Sequence, residues 1–422
     1  MTAPRIVRWA FICLAIGVAV AAYIIWGFIE ASRLQSAIDE IGERGEPTSA
    51  AVIPQMTGGA AQADRYYRAA AVLAENFAWE RGTPLGARII QARHDGVWPA
   101  DLVADIKTLV ERRSEALAFA DKAAELPFDS ARSTRIGASL GGLFEVQTVL
   151  GLRAVVRALD GDGEGAAASL FSRIQAMRPR GAAGFVSSRS ADDVQTVFER
   201  VRPSSRALAP LAEAVSDVDD DNAFRQGLLE SRALQLDRSQ AILGRTGGWV
   251  DWVARPWTVH WLNRQLRTHE ALVAAASLPW PEKIERYIEV GARPEADPWM
   301  SRGNAGSFGL ANEIWYSGEE LAVFRCMRTA IAIERYRRDH GEEVPPALAA
   351  LVPNYLPAVP VDPFTGRRLL FVREPHGYSI YSVGHDGKDD YATHDLRRHG
   401  VMSTVRARPD IAADVGLQIA YR

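Results

Sequence analysis

The amino-acid sequence predicts a mainly α-helical protein with an N-terminal transmembrane helix, an irregular helical bundle and a small C-terminal α+β module. Three observations support this prediction: an uncharged apolar run near the N-terminus, apolar residues at helical spacing over most of the chain, and two β-rich runs near the C-terminus. The 422 residues suffice for two or three structural units. An apolar fraction of 47% and a charged fraction of 24% are globular proportions, which exclude collagen-like and disordered classes.

The transmembrane helix is predicted from residues 9–29, a run of 21 residues without a charge. At about 1.5 Å per residue, such a run spans the ~30 Å hydrocarbon core of a bilayer. Arg5 and Arg8 precede the run and Glu30 follows it, so the positive-inside rule places the N-terminus in the cytoplasm and the rest outside. The alternative is a cleaved signal peptide, because Ala19–Ala21 resembles a cleavage site.

Helical periodicity and the distribution of Gly, Pro and Ser divide the chain into five parts. They are a membrane anchor with a helical extension over 1–44, a linker over 45–61, an exterior helical domain over 62–290, a linker or long loop over 291–316, and the α+β module over 317–422. A Gly/Asp turn at 160–163 separates two helical stretches, as in helical-hairpin repeats. Since no strict repeat period is found, we expect an irregular antiparallel bundle, with a tetratricopeptide array as the alternative.

The C-terminal module is predicted to begin with a helix over 319–340. A capping box at Ser317–Glu320 opens this helix, and Gly341 ends it. A turn at 362–366 follows, and then the β-rich runs 368–372 and 378–384. Because a short turn-forming segment separates the two runs, they predict a β-hairpin.

The C-terminal module contains several short motifs. Tyr336, Asp339 and Gly341 fit a Tyr-x-x-Asp-x-Gly segment at a helix end, Asp362–Pro363 supplies the turn, and Ser382–Gly387 gives Ser-x-Gly-x-Asp-Gly after the hairpin. In these motifs the block of about 70 residues resembles the globular domain of the major pseudopilins of type II secretion systems. The chain also resembles uncharacterised, membrane-anchored bacterial proteins that join a membrane helix and a long helical region to the same block.

These resemblances imply a protein of the bacterial inner membrane, with the bulk of the chain in the periplasm. Gly27 and Phe28 lie at the far end of the apolar run and Glu30 directly follows it, whereas a pseudopilin has its processing signal before the run, so we do not expect a filament subunit. The sequence therefore predicts a binding or scaffolding role in the cell envelope, with the bilayer and envelope proteins as partners. The alternative is an exterior hydrolase whose site is assembled from residues distant in sequence.

The resemblance also implies a calcium site after the hairpin, where pseudopilins bind the ion through Asp carboxylates and backbone carbonyls. The matching stretch contains Asp386, Asp389, Asp390 and Asp395. Clustered Asp residues suit Ca²⁺, which takes six to eight oxygen ligands. Tyr391–Ala392 replaces the glycine pair of the family. The alternative is a solvated acidic turn in which Asp side chains accept hydrogen bonds from backbone amides.

Two further patterns resemble functional motifs. Residues 137–141 match the G-x-S-x-G pattern around a nucleophilic Ser139, but that motif requires a preceding β-strand, and we expect a helix start instead. The acidic clusters 160–164 and 217–221 lack the Glu that closes a calcium-binding EF-hand loop, so we predict helix-connecting turns.

Four tryptophans fall within residues 249–261. We predict that they pack a helical core, while a membrane interface and a partner-binding groove are the alternatives. A net charge of -3 argues against nucleic-acid binding through bulk electrostatics.

Overall fold

The computed structural model describes residues 3–52, 58–74, 83–127, 140–177, 187–218, 221–244, 249–292, 306–384, 387–391 and 414–421. These residues contain thirteen α-helices and one three-stranded sheet. The helices are α1 Ala3–Glu43, α2 Gly58–Ala74, α3 Pro84–Asp95, α4 Ala100–Arg112, α5 Ser114–Ala124, α6 Leu140–Leu159, α7 Gly163–Gln175, α8 Ser187–Arg200, α9 Ser205–Val218, α10 Asp221–Leu243, α11 Trp249–Ala275, α12 Glu282–Ala292 and α13 Gly306–Asp339. The strands are β1 Leu370–Glu374, β2 Gly377–Ser382 and β3 Val415–Ala420. The predicted mainly helical class with a small sheet is confirmed.

The N-terminal helix α1 is continuous through the apolar run and the polar segment that follows it. Its stretch from Arg8 to Glu43 is long and apolar enough to cross a membrane, and none of its most apolar window is buried by other residues. The helical extension beyond the apolar run, expected from the sequence, is therefore present as part of the same helix.

The chain forms two compact units. The first, here called the anchor unit, contains Met1–Pro54, Phe224–Leu278 and Glu289–Gly309; the second, the main unit, contains Gln55–Ala223, Pro279–Ile288 and Leu310–Arg422. This grouping differs from the predicted boundaries. In the anchor unit α11 packs along α1, and in the main unit one hydrophobic core contains residues of both the helical bundle and the C-terminal module.

Several helices of the main unit are joined by short connections, such as residues 160–162 between α6 and α7. Helix α6 packs on α2, α4, α7 and α8. The turn between α6 and α7 is the one predicted at 160–163: the Asp162 side chain caps α7 by accepting a hydrogen bond from the Gly165 amide at 2.8 Å.

In the C-terminal part, helix α13 packs on an antiparallel sheet of order β1-β2-β3. Leu370 pairs with Tyr381 in the predicted hairpin, and Val415 pairs with Ser382 in the additional strand β3. Strand β2 is buried along its whole length because it lies between two strands and beneath the helix.

The predicted start of this helix at residue 319 is wrong, because α13 begins at Gly306. Gly318 lies inside the helix, where a larger residue would crowd neighbouring side chains. A Cβ at this position would lie 3.1 Å from Ile284 and 3.3 Å from Phe364. The predicted end is confirmed: α13 ends at Asp339, and Gly341 has a positive φ of 64°.

Candidate functional site

The described part of the predicted calcium loop forms a hydrogen-bonded turn. Asp389 Oδ1 accepts hydrogen bonds from the Tyr381 hydroxyl at 3.0 Å and from the Tyr391 amide at 2.8 Å. Asp390 lies beside it, whereas Asp386 and Asp395 lie outside the described residues. Among the described residues no group of three or more His, Cys, Asp or Glu side chains is close enough to hold a metal ion. The calcium site therefore stays a prediction.

The motif residues that carry the pseudopilin resemblance meet in two places. Asp362 is buried, and its Oδ1 accepts hydrogen bonds from Ser382 Oγ at 2.9 Å and from the Phe364 amide at 2.8 Å. Asp339, at the end of α13, accepts a hydrogen bond from the Tyr355 hydroxyl at 2.8 Å. These contacts join the turn to the hairpin and the helix end to the following segment, so the motif residues stabilise the module.

Ser139 lies outside the described residues. The cluster at 160–164 is the turn between α6 and α7, as predicted. The cluster at 217–221 starts at the end of α9 and finishes at the first residue of α10, and its residues 219–220 lie outside the described part of the chain.

The tryptophan-rich segment begins helix α11 and packs against the apolar end of α1. The Trp26 and Trp257 rings meet edge to face with centroids 5.0 Å apart. Trp257 is nonetheless 57% exposed, whereas Trp261 packs against the apolar core of the anchor unit. The side chains of Trp249 and Trp252 lie outside the described residues. Of the two described tryptophan side chains in this segment, Trp261 packs in a core and Trp257 does not.

A small residue allows the two helices to approach closely. Gly27 of α1 faces Pro256 of α11, and a Cβ at Gly27 would lie 2.9 Å from the proline Cγ. Such a distance requires one of the groups to move. Gly27, read in the sequence as part of a displaced processing motif, is therefore a packing residue.

Beyond this apolar contact lies a polar layer. The Glu30 side chain is 2% exposed, and its Oε2 accepts a hydrogen bond from Asn263 Nδ2 at 2.8 Å. Arg33 donates to Oε1 at 2.9 Å, and the His260 ring lies 3.4 Å from the same oxygen. A buried carboxylate requires such partners, because its desolvation without them is costly.

A network of ion pairs also joins the segment after α1 to helices α10 and α11. Arg232 of α10 is fully buried, and its guanidinium contacts Glu46 at 2.9 Å and also Glu270 of α11. Arg44 bonds to the same two carboxylates. Burial favours a raised pKa for Glu46, but hydrogen bonds from Arg232 and Arg44 outweigh it and lower the pKa overall. The network fixes α1, α10 and α11 to one another.

The neighbouring cavity is small. Residues that include Leu34, Arg232 and His269 line it, and its volume is about 10 Å³. A buried site of this size has room for about one water molecule. This cavity is therefore too small for a substrate.

In the main unit, charged side chains from three helices meet in the interior. Arg93 of α3 donates Nε and Nη2 to the two carboxylate oxygens of Asp193 on α8, at 3.1 and 3.2 Å. Arg173 of α7 contacts the same carboxylate, and neither Arg173 nor Asp193 is exposed. Burial lowers the pKa of Arg93 to about 10, and nearby Asp192 partly opposes this. These charges hold the helices in one arrangement.

A second buried carboxylate joins α13 to the sheet. Glu334 Oε1 accepts hydrogen bonds from the hydroxyls of Tyr378 at 3.2 Å and Tyr421 at 2.9 Å. Its Oε2 accepts from Arg337 at 2.8 Å and from Arg338 at 3.0 Å. Four donors thus satisfy one carboxylate, which is the condition for burying it stably.

The buried pair of Arg173 and Asp193 is not predicted from the sequence, although a signal for Arg173 exists. Arg173 lies at helical spacing between Leu170 and Ile174, on the apolar stripe of α7, and is fully buried. A charged residue on an apolar helix face indicates a buried partner, but periodicity alone does not indicate which residue it is.

Comparison with known proteins adds no relative: no family model, curated protein or solved structure matches this chain.

Proposed function

We propose that this chain is a single-pass protein of the bacterial inner membrane that binds or scaffolds proteins of the cell envelope. The observation that carries the proposal is helix α1, whose Arg8–Glu43 stretch is long, apolar and free of burial in its apolar part. Exposing such a surface to water is unfavourable by about 25 cal/mol per Å². A bilayer removes this cost. Arg5 and Arg8 before the apolar run support a cytoplasmic N-terminus and a periplasmic bulk.

A scaffolding role is supported by the way α1 joins the rest of the anchor unit. The helix continues without a break to Glu43, and Glu30 binds Asn263 of α11 along the way. At its end, Arg44 and Glu46 bind charged residues of α10 and α11. An anchor that is an integral part of a folded unit holds that unit at a fixed distance from the membrane, as a scaffold requires.

The envelope partner class is proposed from the C-terminal module. Its motif residues resemble those of the major pseudopilins of type II secretion systems, which are an assembly-type module of the cell envelope. Asp362 and Ser382, two of these residues, are used here for internal hydrogen bonds. The surface available to a partner is therefore formed by other residues of the module.

The anchor is tested by fractionation and topology mapping of the full chain. We expect the protein to stay with membranes at alkaline pH. We also expect a reporter that is active only in the periplasm to be active when it is fused after Arg422. N-terminal sequencing distinguishes an anchor from a signal peptide. A mature chain beginning at Ala22 would contradict the anchor.

The binding role is tested separately by cross-linking in intact cells, followed by purification of the full chain. The control is an unrelated single-pass protein produced at the same level. Enrichment of one or more envelope proteins over this control is expected. Equal recovery from both proteins would contradict the scaffolding role while leaving the anchor intact.

A further inference from the structure

Helices α1 and α11 run parallel to each other in the anchor unit. The Tyr23 hydroxyl donates a hydrogen bond to the Val253 carbonyl, the Trp26 ring packs on Trp257, and Glu30 lies beside the later residue Asn263. Residue numbers therefore increase in the same direction along both helices. The first turns of α11 lie beside the last turns of the apolar run of α1.

The polar layer shows where the apolar contact ends. Glu30, the first charged residue after the apolar run, meets His260 and Asn263 of α11. Residues of α11 before His260 lie on the apolar side of this layer. Val253 precedes His260 by seven residues, which corresponds to about 10 Å along a helix. Since the apolar run is only as long as the hydrocarbon core is thick, a bilayer that covers it also reaches Val253.

The side chains at the start of α11 suit such an environment. Val253 is 45% exposed and Trp257 is 57% exposed, although both are large apolar residues. Tryptophan is enriched where membranes meet water, because its ring is apolar while its N–H donates a hydrogen bond. Tyr23 and Trp26 of α1 lie at the same level as these two residues. Tyr23, Trp26 and Trp257 thus form an aromatic cluster at this level, of the kind found where membranes meet water.

The exposed charge between Val253 and Trp257 is compatible with a position at the membrane surface. Arg255 is exposed, and its long side chain allows the guanidinium to reach lipid headgroups while the stem stays in apolar surroundings.

We propose that the first turns of α11 enter the outer leaflet beside α1, with Val253 and Trp257 in contact with lipid. The anchor is then a long helix together with a second, partly inserted helix. This proposal rests on α1 spanning the bilayer, and it adds a second membrane contact that hydropathy alone does not identify. The second contact restricts rotation of the anchor unit relative to the membrane surface.

The experiment measures the depth of nitroxide labels on the full-length chain in phosphatidylethanolamine–phosphatidylglycerol vesicles. Labels are attached to Val253→Cys, and to Ala254→Cys as a second exposed position, in a chain carrying Cys13→Ser and Cys326→Ala. Val18→Cys, in the middle of the apolar run, is the lipid reference. Arg267→Cys is the water reference, because it is exposed on the same helix 14 residues after Val253 and on nearly the same face.

Collisions with oxygen, which concentrates in lipid, are compared with collisions with a water-soluble nickel chelate. We expect the oxygen-to-nickel ratio at Val253 or Ala254 to exceed that at Arg267 several-fold and to approach that at Val18. If Val18 lies in lipid while both test positions match Arg267, the inserted helix is wrong and the anchor stands. If Val18 is itself water-accessible, the anchor fails as well. Protection of Val253 and Ala254 from both reagents indicates a protein partner on this face and overturns the proposal.

Discussion

The buried ion pair between Arg173 and Asp193 lies directly against the backbone of Gly151. A Cβ atom at position 151 would overlap the Arg173 guanidinium and an Asp193 carboxylate oxygen. Glycine is thus required in the middle of α6, where its low helix propensity would otherwise be a disadvantage. The space left by its missing side chain holds the charges that fix α7 and α8.

Substituting Gly151→Ala is expected to destabilise the main unit by about 3 kcal/mol, because the added methyl group both overpacks the site and displaces a buried ion pair. The matched control is Gly227→Ala in α10, where a Cβ would have no neighbour within 4 Å. There the substitution should stabilise by about 0.5–1 kcal/mol through helix propensity. Denaturant unfolding of the full chain in detergent measures both. Equal effects of the two substitutions would contradict the packing role of Gly151.

Asp121 is expected to make stability depend on pH. Arg153 donates two hydrogen bonds to its carboxylate, at 2.8 and 2.7 Å, and Ser172 donates a third. Burial favours a raised pKa for Asp121, but the bonds from Arg153 outweigh it and lower the pKa overall. A lowered pKa stabilises the folded state above the ordinary Asp value, and this contribution is lost as pH falls below about 4.

The Asp121→Asn variant should therefore be less stable than the original chain at pH 7, by about 1 kcal/mol given the partial exposure of the pair. The difference should shrink between about pH 4 and pH 2. Unfolding at pH 7, 5 and 3 measures it, with Glu111→Gln at an exposed position of α4 as the control. A difference that stays constant over this range would rule out the titration of Asp121 as its source.

Close approach of α1 and α11 is expected to depend on Gly27. A Gly27→Leu substitution places a side chain where Pro256 packs, and we expect a loss of about 1–3 kcal/mol in the anchor unit. Gly17→Leu is the matched control on the same helix, since a Cβ there has no neighbour within 4 Å. Thermal unfolding in detergent compares the two. If Gly17→Leu lowers the melting temperature as much as Gly27→Leu, the helix contact is not the cause.

Calcium is expected to raise the melting temperature of the chain, and a chelator to lower it, because a ligand that binds only the folded state stabilises it. Asp389→Asn should abolish the calcium-dependent part of the shift, whatever its effect on stability without calcium. Asp105→Asn, at an exposed position of α4, should retain the shift. Melting curves of all three chains with and without calcium decide the question. If neither calcium nor the chelator changes the melting temperature of the original chain, the predicted calcium site is wrong.

Local sequence patterns were sufficient to predict those elements whose structure depends on neighbouring residues alone. The uncharged run of residues 9–29 determined a helix long enough for a bilayer, because length and hydropathy are local properties. Gly341 determined a helix end, because a positive φ costs least at glycine. The hairpin of β1 and β2 followed from two β-rich runs separated by a short turn.

The tertiary structure alone decided which distant elements meet. Strand β3 lies more than 30 residues after β2 in the chain, and Glu30 binds Asn263 across 233 residues. Periodicity shows that a face is apolar but not which surface covers it, and many pairings of such faces are compatible with one pattern. The ion pair of Arg173 with Asp193, the contact of Gly27 with Pro256 and the grouping of α11 with α1 depend on that choice. Each arises from close packing between separate elements, which only the folded chain specifies.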